Sequence, residues 1–145
     1  LTERFKTFLN EFTPLFLSII LKDKYMSSIS EIRIEGHTAI QTDDKETDKD
    51  YYQKMLTLSQ KRSNKVLEHM MSSNYYDSLS ESKKSLLRFM ITSNGLAYGK
   101  ALDKAGNFKF LSGNSINTEK SMRVEFRIVT TSDKLVEKVL EQLNK

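Results

Sequence analysis

Cysteine is absent from the 145 residues, which excludes a disulfide framework and a thiolate zinc site. That absence suits a periplasmic or a cytoplasmic domain equally well. No apolar run is long enough to cross a bilayer. The longest, Phe12 to Leu21, contains Pro14 and Ser18 and falls well short of the roughly 20 residues that a spanning helix needs, so it reads as a core helix. The chain also lacks a nucleophile elbow, a metal-ligand cluster and a phosphate-binding glycine loop. It therefore does not read as an enzyme and implies no cofactor and no metal. Blocks of like charge are missing too. The net charge is +4, but lysines are scattered among acids, which reads as a solvated surface rather than a nucleic-acid footprint. The chain opens on Leu1-Thr2-Glu3-Arg4 with no basic leader, so a membrane anchor is expected upstream of it.

What is present suits one ordered domain over residues 1–145. A hydrophobic content of 38% with charge spread throughout supports a single core and argues against disorder. Leu1, Phe5, Phe8, Leu9, Phe12, Leu15, Phe16, Ile19 and Ile20 recur at helical spacing, predicting an amphipathic helix to about Tyr25. Pro14 either kinks it or starts a second segment capped by Thr13. Ser30 to Gly36 alternates, with Ile32 and Ile34 on one face and Glu31, Arg33 and Glu35 on the other, as a half-buried strand does. Residues 40–50 are polar and acidic and predict an exposed loop. They lack the glycine and the terminal glutamate of a calcium loop.

A second helix is predicted over Tyr51 to Ser72, with Met55, Leu58, Val66 and Met70 as its apolar stripe and Arg62 inside that stripe. A third, capped by Ser80 or Ser82, carries Leu86, Leu87, Phe89 and Met90 and is expected to stop near Asn94-Gly95. The glycine- and asparagine-rich stretch that follows, to Thr118, predicts loop with at most one short strand. Ser121 to Thr130 alternates again, with Met122, Val124, Phe126 and Ile128 inward. Arg33, Glu35, Glu125 and Arg127 are placed to pair across neighbouring strands. Leu135, Val136, Val139, Leu140 and Leu143 predict a closing helix. His37 is expected to bond the backbone at a strand end, and His69 to be solvated.

Three fragments carry a resemblance. Ile32-Arg33-Ile34-Glu35-Gly36-His37-Thr38, Leu58-Ser59-Gln60-Lys61-Arg62 and Met122-Arg123-Val124-Glu125-Phe126 resemble, in this order, the motifs of the OmpA-like domain found in OmpA, Pal and MotB-type proteins. The long acidic loop and the Gln-Lys-Arg form of the second fragment are similar to MotB-like stator subunits, among them those of the Zorya defence system. The resemblance implies an α+β fold, a two-layer sandwich with a β-α-β-α-β core, helices packed on one mixed sheet, and an extra C-terminal helix. The family's first strand would precede residue 1.

It also implies a partner, the diaminopimelate-type stem peptide of peptidoglycan. In that family an aspartate holds the amine of diaminopimelate and a helix arginine holds its carboxylate. Arg62 stands at the arginine position, with a structural ion pair as its competing role. Ala39 replaces the aspartate, Met55 an asparagine and Met122 an arginine, and these substitutions are expected to surround one ligand cleft. Asp43 or Asp44 would be the acids able to stand in. Thr38 and the strand-end backbone would line the cleft. Arg123 would support it or pair with Glu31, Glu35 or the acidic loop. The implied role is a non-enzymatic wall anchor in the periplasm. The alternative is a domain that keeps the fold for dimerisation or another protein contact in a membrane complex.

Overall fold

The structure, a computed structural model, describes residues 1–40, 43–131 and 140–143, with Asp43 and Asp44 described by their backbone alone. Thr2 opens helix α1 (Glu3–Ile20) by accepting the Phe5 N–H at 3.1 Å, one of the first-turn donors that has no partner within the helix. Pro14 lies inside α1 without dividing it. A separate short helix, α2 (Asp23–Met26), takes up the rest of the stretch expected to be one helix. Strand β1 (Ile29–Gly36) follows. A 3₁₀ turn (Asp43–Thr47) then leads to Asp48, whose carboxylate caps the long helix α3 (Lys49–Met71). Helices α4 (Asn74–Ser78) and α5 (Glu81–Met90) are capped by Ser73 and Ser80.

Strand β2 (Ile91–Gly95) starts where α5 ends. The expected helix to Asn94-Gly95 is therefore too long by a whole strand. β2 pairs with β1 in parallel, opposing Ile32 to Ile91 and Gly36 to Gly95. A loop holding two one-turn helices, α6 (Lys109–Ser112) and α7 (Thr118–Ser121), leads to strand β3 (Val124–Thr130), antiparallel to β1 on its other side. The fold is α+β, a three-stranded mixed sheet in the order β2-β1-β3 with helices on one face. Among the described residues no strand precedes α1, and none pairs with the outer edge of β3. No described helix is long and apolar enough to cross a membrane. Of the expected closing helix, residues 140–143 are helical, while Leu135, Val136 and Val139 lie outside the described residues.

The strand alternation has the predicted result. Ile32 and Ile34 are fully buried among Leu9, Leu17, Val66 and Leu87 of the helical layer. Phe126 of β3 meets Phe12 and Phe16 of α1 at ring separations of 4.8 and 5.7 Å, the spacing that favours tilted aromatic pairs. The expectation that Met122 and Ile128 also point inward does not hold: Met122 precedes β3, and both are exposed.

Candidate functional site

α3 does not bury the stripe that its apolar residues suggest. Its buried positions are Ser59, Ser63, Val66 and Met70, whereas Met55 and Leu58 are only half-buried. Two serines occupy the seam because α3 crosses the paired glycines of β1 and β2 at very short range. A Cβ on Gly36 would lie 2.1 Å from the Ser59 carbonyl oxygen, and one on Gly95 would lie 2.6 Å from the Gln60 nitrogen. Small side chains are what let helix and sheet approach so closely. Hydrogen bonds then fasten the crossing. Ser59 Oγ accepts the Ala97 N–H at 3.0 Å, Gln60 Oε1 accepts the Gly95 N–H at 2.8 Å, and Gln60 Nε2 donates to the Ser93 carbonyl. The Leu58-Ser59-Gln60 fragment is thus a helix-to-sheet fastener, and it fixes where Arg62 emerges one turn later.

Arg62 is half-buried and has no hydrogen bond or ion pair with any described residue. It lines an open cleft of about 560 Å³ together with Arg123, Leu1, Thr2, Phe5, Met122 and Val124. The fold has therefore brought the second and third sequence fragments, 61 residues apart, to one place. The two arginines differ in kind. Arg123 is held at all three nitrogens: its Nε donates to Glu125 Oε1 at 2.5 Å, and the other two donate to the Ser121 and Lys100 carbonyls at 3.1 and 3.2 Å. Its acidic partner, Glu125, lies two residues on in β3 and is none of Glu31, Glu35 or the acidic loop. Among the described residues Arg62 is an unpaired guanidinium fork that shares a partly apolar cleft with a held one. Such an arrangement suits a carboxylate or phosphate, which a fork bonds through two parallel charge-assisted hydrogen bonds.

The first fragment lies elsewhere. Thr38 and Ala39 are 1% and 5% exposed and do not line this cleft. The Thr38 N–H is committed to the Ala97 carbonyl at 2.8 Å, and the His37 N–H to the Arg123 carbonyl at 2.9 Å. The Ala39 carbonyl accepts the Tyr51 hydroxyl at 3.2 Å. Of the three substituted positions only Met122 borders the cleft, and Met55 is not among its lining residues. The Asp43 and Asp44 side chains lie outside the described residues. Thr38 Oγ1 is buried without a hydrogen-bond partner, so the isosteric Thr38→Val removes no bond. That variant is expected to hold its stability within about 0.5 kcal/mol in urea unfolding and to keep any ligand affinity. A tenfold loss of affinity would show that the hydroxyl reaches the ligand.

His37 is fully buried, and its imidazole makes no hydrogen bond to the backbone, contrary to expectation. Its Nε2 instead faces Glu35 Oε1 at 3.7 Å and Glu125 Oε2 at 3.9 Å. Burial pushes the imidazole pKa below its usual value, and the Arg123 charge adds to that; the two carboxylates oppose it and are outweighed. Burial alone would raise the Glu125 carboxyl, but the hydrogen bond and charge of Arg123 hold it below the ordinary range. Glu35, His37 and Glu125 bring ligand atoms within 4.8 Å of one another, a geometry able to hold a metal ion. The same carboxylates already bond Arg33, Arg123 and Arg127 at 2.5 to 3.8 Å. A cation would have to displace these guanidiniums, so the arrangement works as an ion-pair network on the outer sheet face. His69, on α3, bonds Asn10 Oδ1 of α1 at 2.8 Å and is an interhelical contact rather than a free surface residue.

No family model matches the chain. Among curated proteins it is similar to Zorya protein ZorB of Escherichia coli, at 29% identity over 143 residues. That alignment takes in 98% of this chain and 55% of ZorB, so the chain spans about half the length of the curated relative it matches.

Proposed function

We propose that this chain is a non-enzymatic domain that anchors a membrane protein or complex to the cell wall by binding the stem peptide of peptidoglycan, on the periplasmic side of the membrane. The observation that carries this reading is Arg62. It is a half-buried arginine with no partner among the described residues, lining one cleft with a second arginine whose position is fixed by three hydrogen bonds. A partly desolvated charge needs a counter-charge, and a diaminopimelate carboxylate supplies one of matching fork geometry. Arg62 makes the contact, and Arg123 holds the cleft wall. Thr38 and Ala39 act from beneath, by fixing the strand end against α3 and the β2 loop. The likeness to ZorB, together with the order of the three fragments, supports placing the chain in a stator-like membrane complex.

Co-sedimentation with purified sacculi tests this. Arg62→Ala should lower retention by roughly ten- to a hundred-fold, the cost of removing a charge-assisted pair. Arg62→Lys should fall between it and wild type, since lysine keeps the charge and loses the fork. Equal retention of all three proteins would sink the mechanism.

A second reading, protein contact or homodimerisation, is favoured by a different observation. Phe8, Leu15 and Ile19 leave one side of α1 about half exposed or more, and the outer edge of β3 carries no strand among the described residues. A stable dimer by size exclusion with light scattering, combined with no sacculus binding, would select that reading.

A further inference from the structure

Among the described residues, the cleft around Arg62 is lined by two arginines, one threonine and apolar residues, and by no acid. The free end of a diaminopimelate residue is zwitterionic, with one amine and one carboxylate on the same carbon. A site that reads both groups needs an acid for the ammonium. At the position where the resembled family carries that acid, this chain has Ala39, buried outside the cleft. The acid nearest in sequence to the lining residues Arg123 and Val124 is Glu125, and it is committed to Arg123 at 2.5 Å and Arg127 at 3.8 Å. An ammonium brought into this cleft would face the unpaired charge of Arg62, while Glu125, the described acid on this side, is already spent on Arg123.

Resting on the function proposed above, we infer that the cleft reads the stem-peptide carboxylate alone and leaves the neighbouring amine unread. The amine then projects away from the two arginines, toward the open mouth of the cleft. Capping it as an amide removes a positive charge that the site does not use. The domain would thus hold stem peptides whose amine is acylated, as it is in a cross-link to a neighbouring stem, as well as those whose amine is free. A site with an acid partner would be confined to the free-amine form. The carboxylate is the indispensable group, and its conversion to a carboxamide removes both the charge and one acceptor from the Arg62 fork.

Isothermal titration with a synthetic stem tripeptide ending in meso-diaminopimelate tests this in three forms: unmodified, acetylated on the side-chain amine, and amidated on the side-chain carboxylate. The acetylated form should bind as well as the unmodified one or up to about threefold tighter, and the amidated form at least tenfold weaker. Arg62→Ala should weaken the unmodified and acetylated forms equally, which places both in this cleft. A tenfold loss on acetylation, with the unmodified form still dependent on Arg62, would overturn carboxylate-only reading and leave wall anchoring standing. Failure of all three forms to bind would remove the function proposed above and this inference with it.

Discussion

Gly36→Ala is expected to be among the most damaging single-methyl additions in the chain, costing on the order of 3–5 kcal/mol or preventing folding outright. The added Cβ would lie 2.1 Å from the Ser59 carbonyl oxygen and 3.0 Å from its carbonyl carbon. Those are backbone atoms in the middle of a 23-residue helix, so no rotamer change relieves the clash. α3 would have to lift from the sheet, opening the contacts of Ser59, Ser63 and Val66 and breaking the Ser59–Ala97 and Gln60–Gly95 bonds. Against a typical domain stability of about 5–15 kcal/mol, that is a large share. Gly95→Ala should behave similarly, since its Cβ would meet Gln60 N at 2.6 Å and Ser59 Oγ at 2.8 Å. Gly99→Ala is the control: its nearest neighbour would be 3.5 Å away, an ordinary contact. Urea unfolding followed by circular dichroism measures all three. A Gly36→Ala protein as stable as the Gly99→Ala protein would mean that the close crossing is not what packs α3. Where Gly36→Ala still folds, it should also weaken sacculus retention, because displacing α3 displaces Arg62.

That crossing also explains what could and could not be read from the residues. The alternation of β1 and β3 was legible because one face of each strand is buried and the other is not, and Arg127–Glu35 pairing across the strands at 3.3 Å follows from the same alternation. The seam of α3 was not legible from hydrophobicity. Helix and sheet lie too close there for anything larger than serine, so the most buried positions are polar and the leucine and methionine sit on the flank. The glycines facing it are the signal that could have found it. β2 was missed for a different reason. Leu86, Leu87, Phe89, Met90 and Ile91 form one unbroken apolar pattern, and the chain passes from helix to strand between Met90 and Ile91 with no turn residue to mark the change. A five-residue parallel strand, half-buried throughout, shows no alternation of its own. Arg62 could be picked out as a misplaced charge in an apolar stripe. That it shares a cleft with Arg123 needed the fold, since 61 residues of chain separate the two.

Glu35→Ala should destabilise the domain by about 2–3 kcal/mol, more than any other single removal from the outer face of the sheet. Glu35 is the one acid of that face with almost no exposure: its side chain is 4% accessible, against 30% for Glu31 and 38% for Glu125. Its described neighbours cover it. Arg33 Nε donates to Glu35 Oε2 at 2.9 Å from the same strand, and Arg127 Nε approaches Glu35 Oε1 at 3.3 Å from the next. Arg33 and Arg127 stand directly opposite each other in the sheet register, a repulsive placement unless an anion lies between them. Losing one partner of a buried pair commonly costs about 3–5 kcal/mol. The lower figure applies here because neither arginine is stranded. Arg33 keeps Glu31 at 3.3 Å, Arg127 keeps Glu125 at 3.8 Å, and both reach solvent. Glu125→Ala, at a more exposed position, should cost less, and its effect should shrink in high salt while that of Glu35→Ala persists. Glu35→Gln, which keeps the shape and loses the charge, should fall between Glu35→Ala and wild type. Urea midpoints at low and high salt give the comparison, and a Glu35→Ala effect equal to or smaller than that of Glu125→Ala would show that burial by arginines adds nothing to this network.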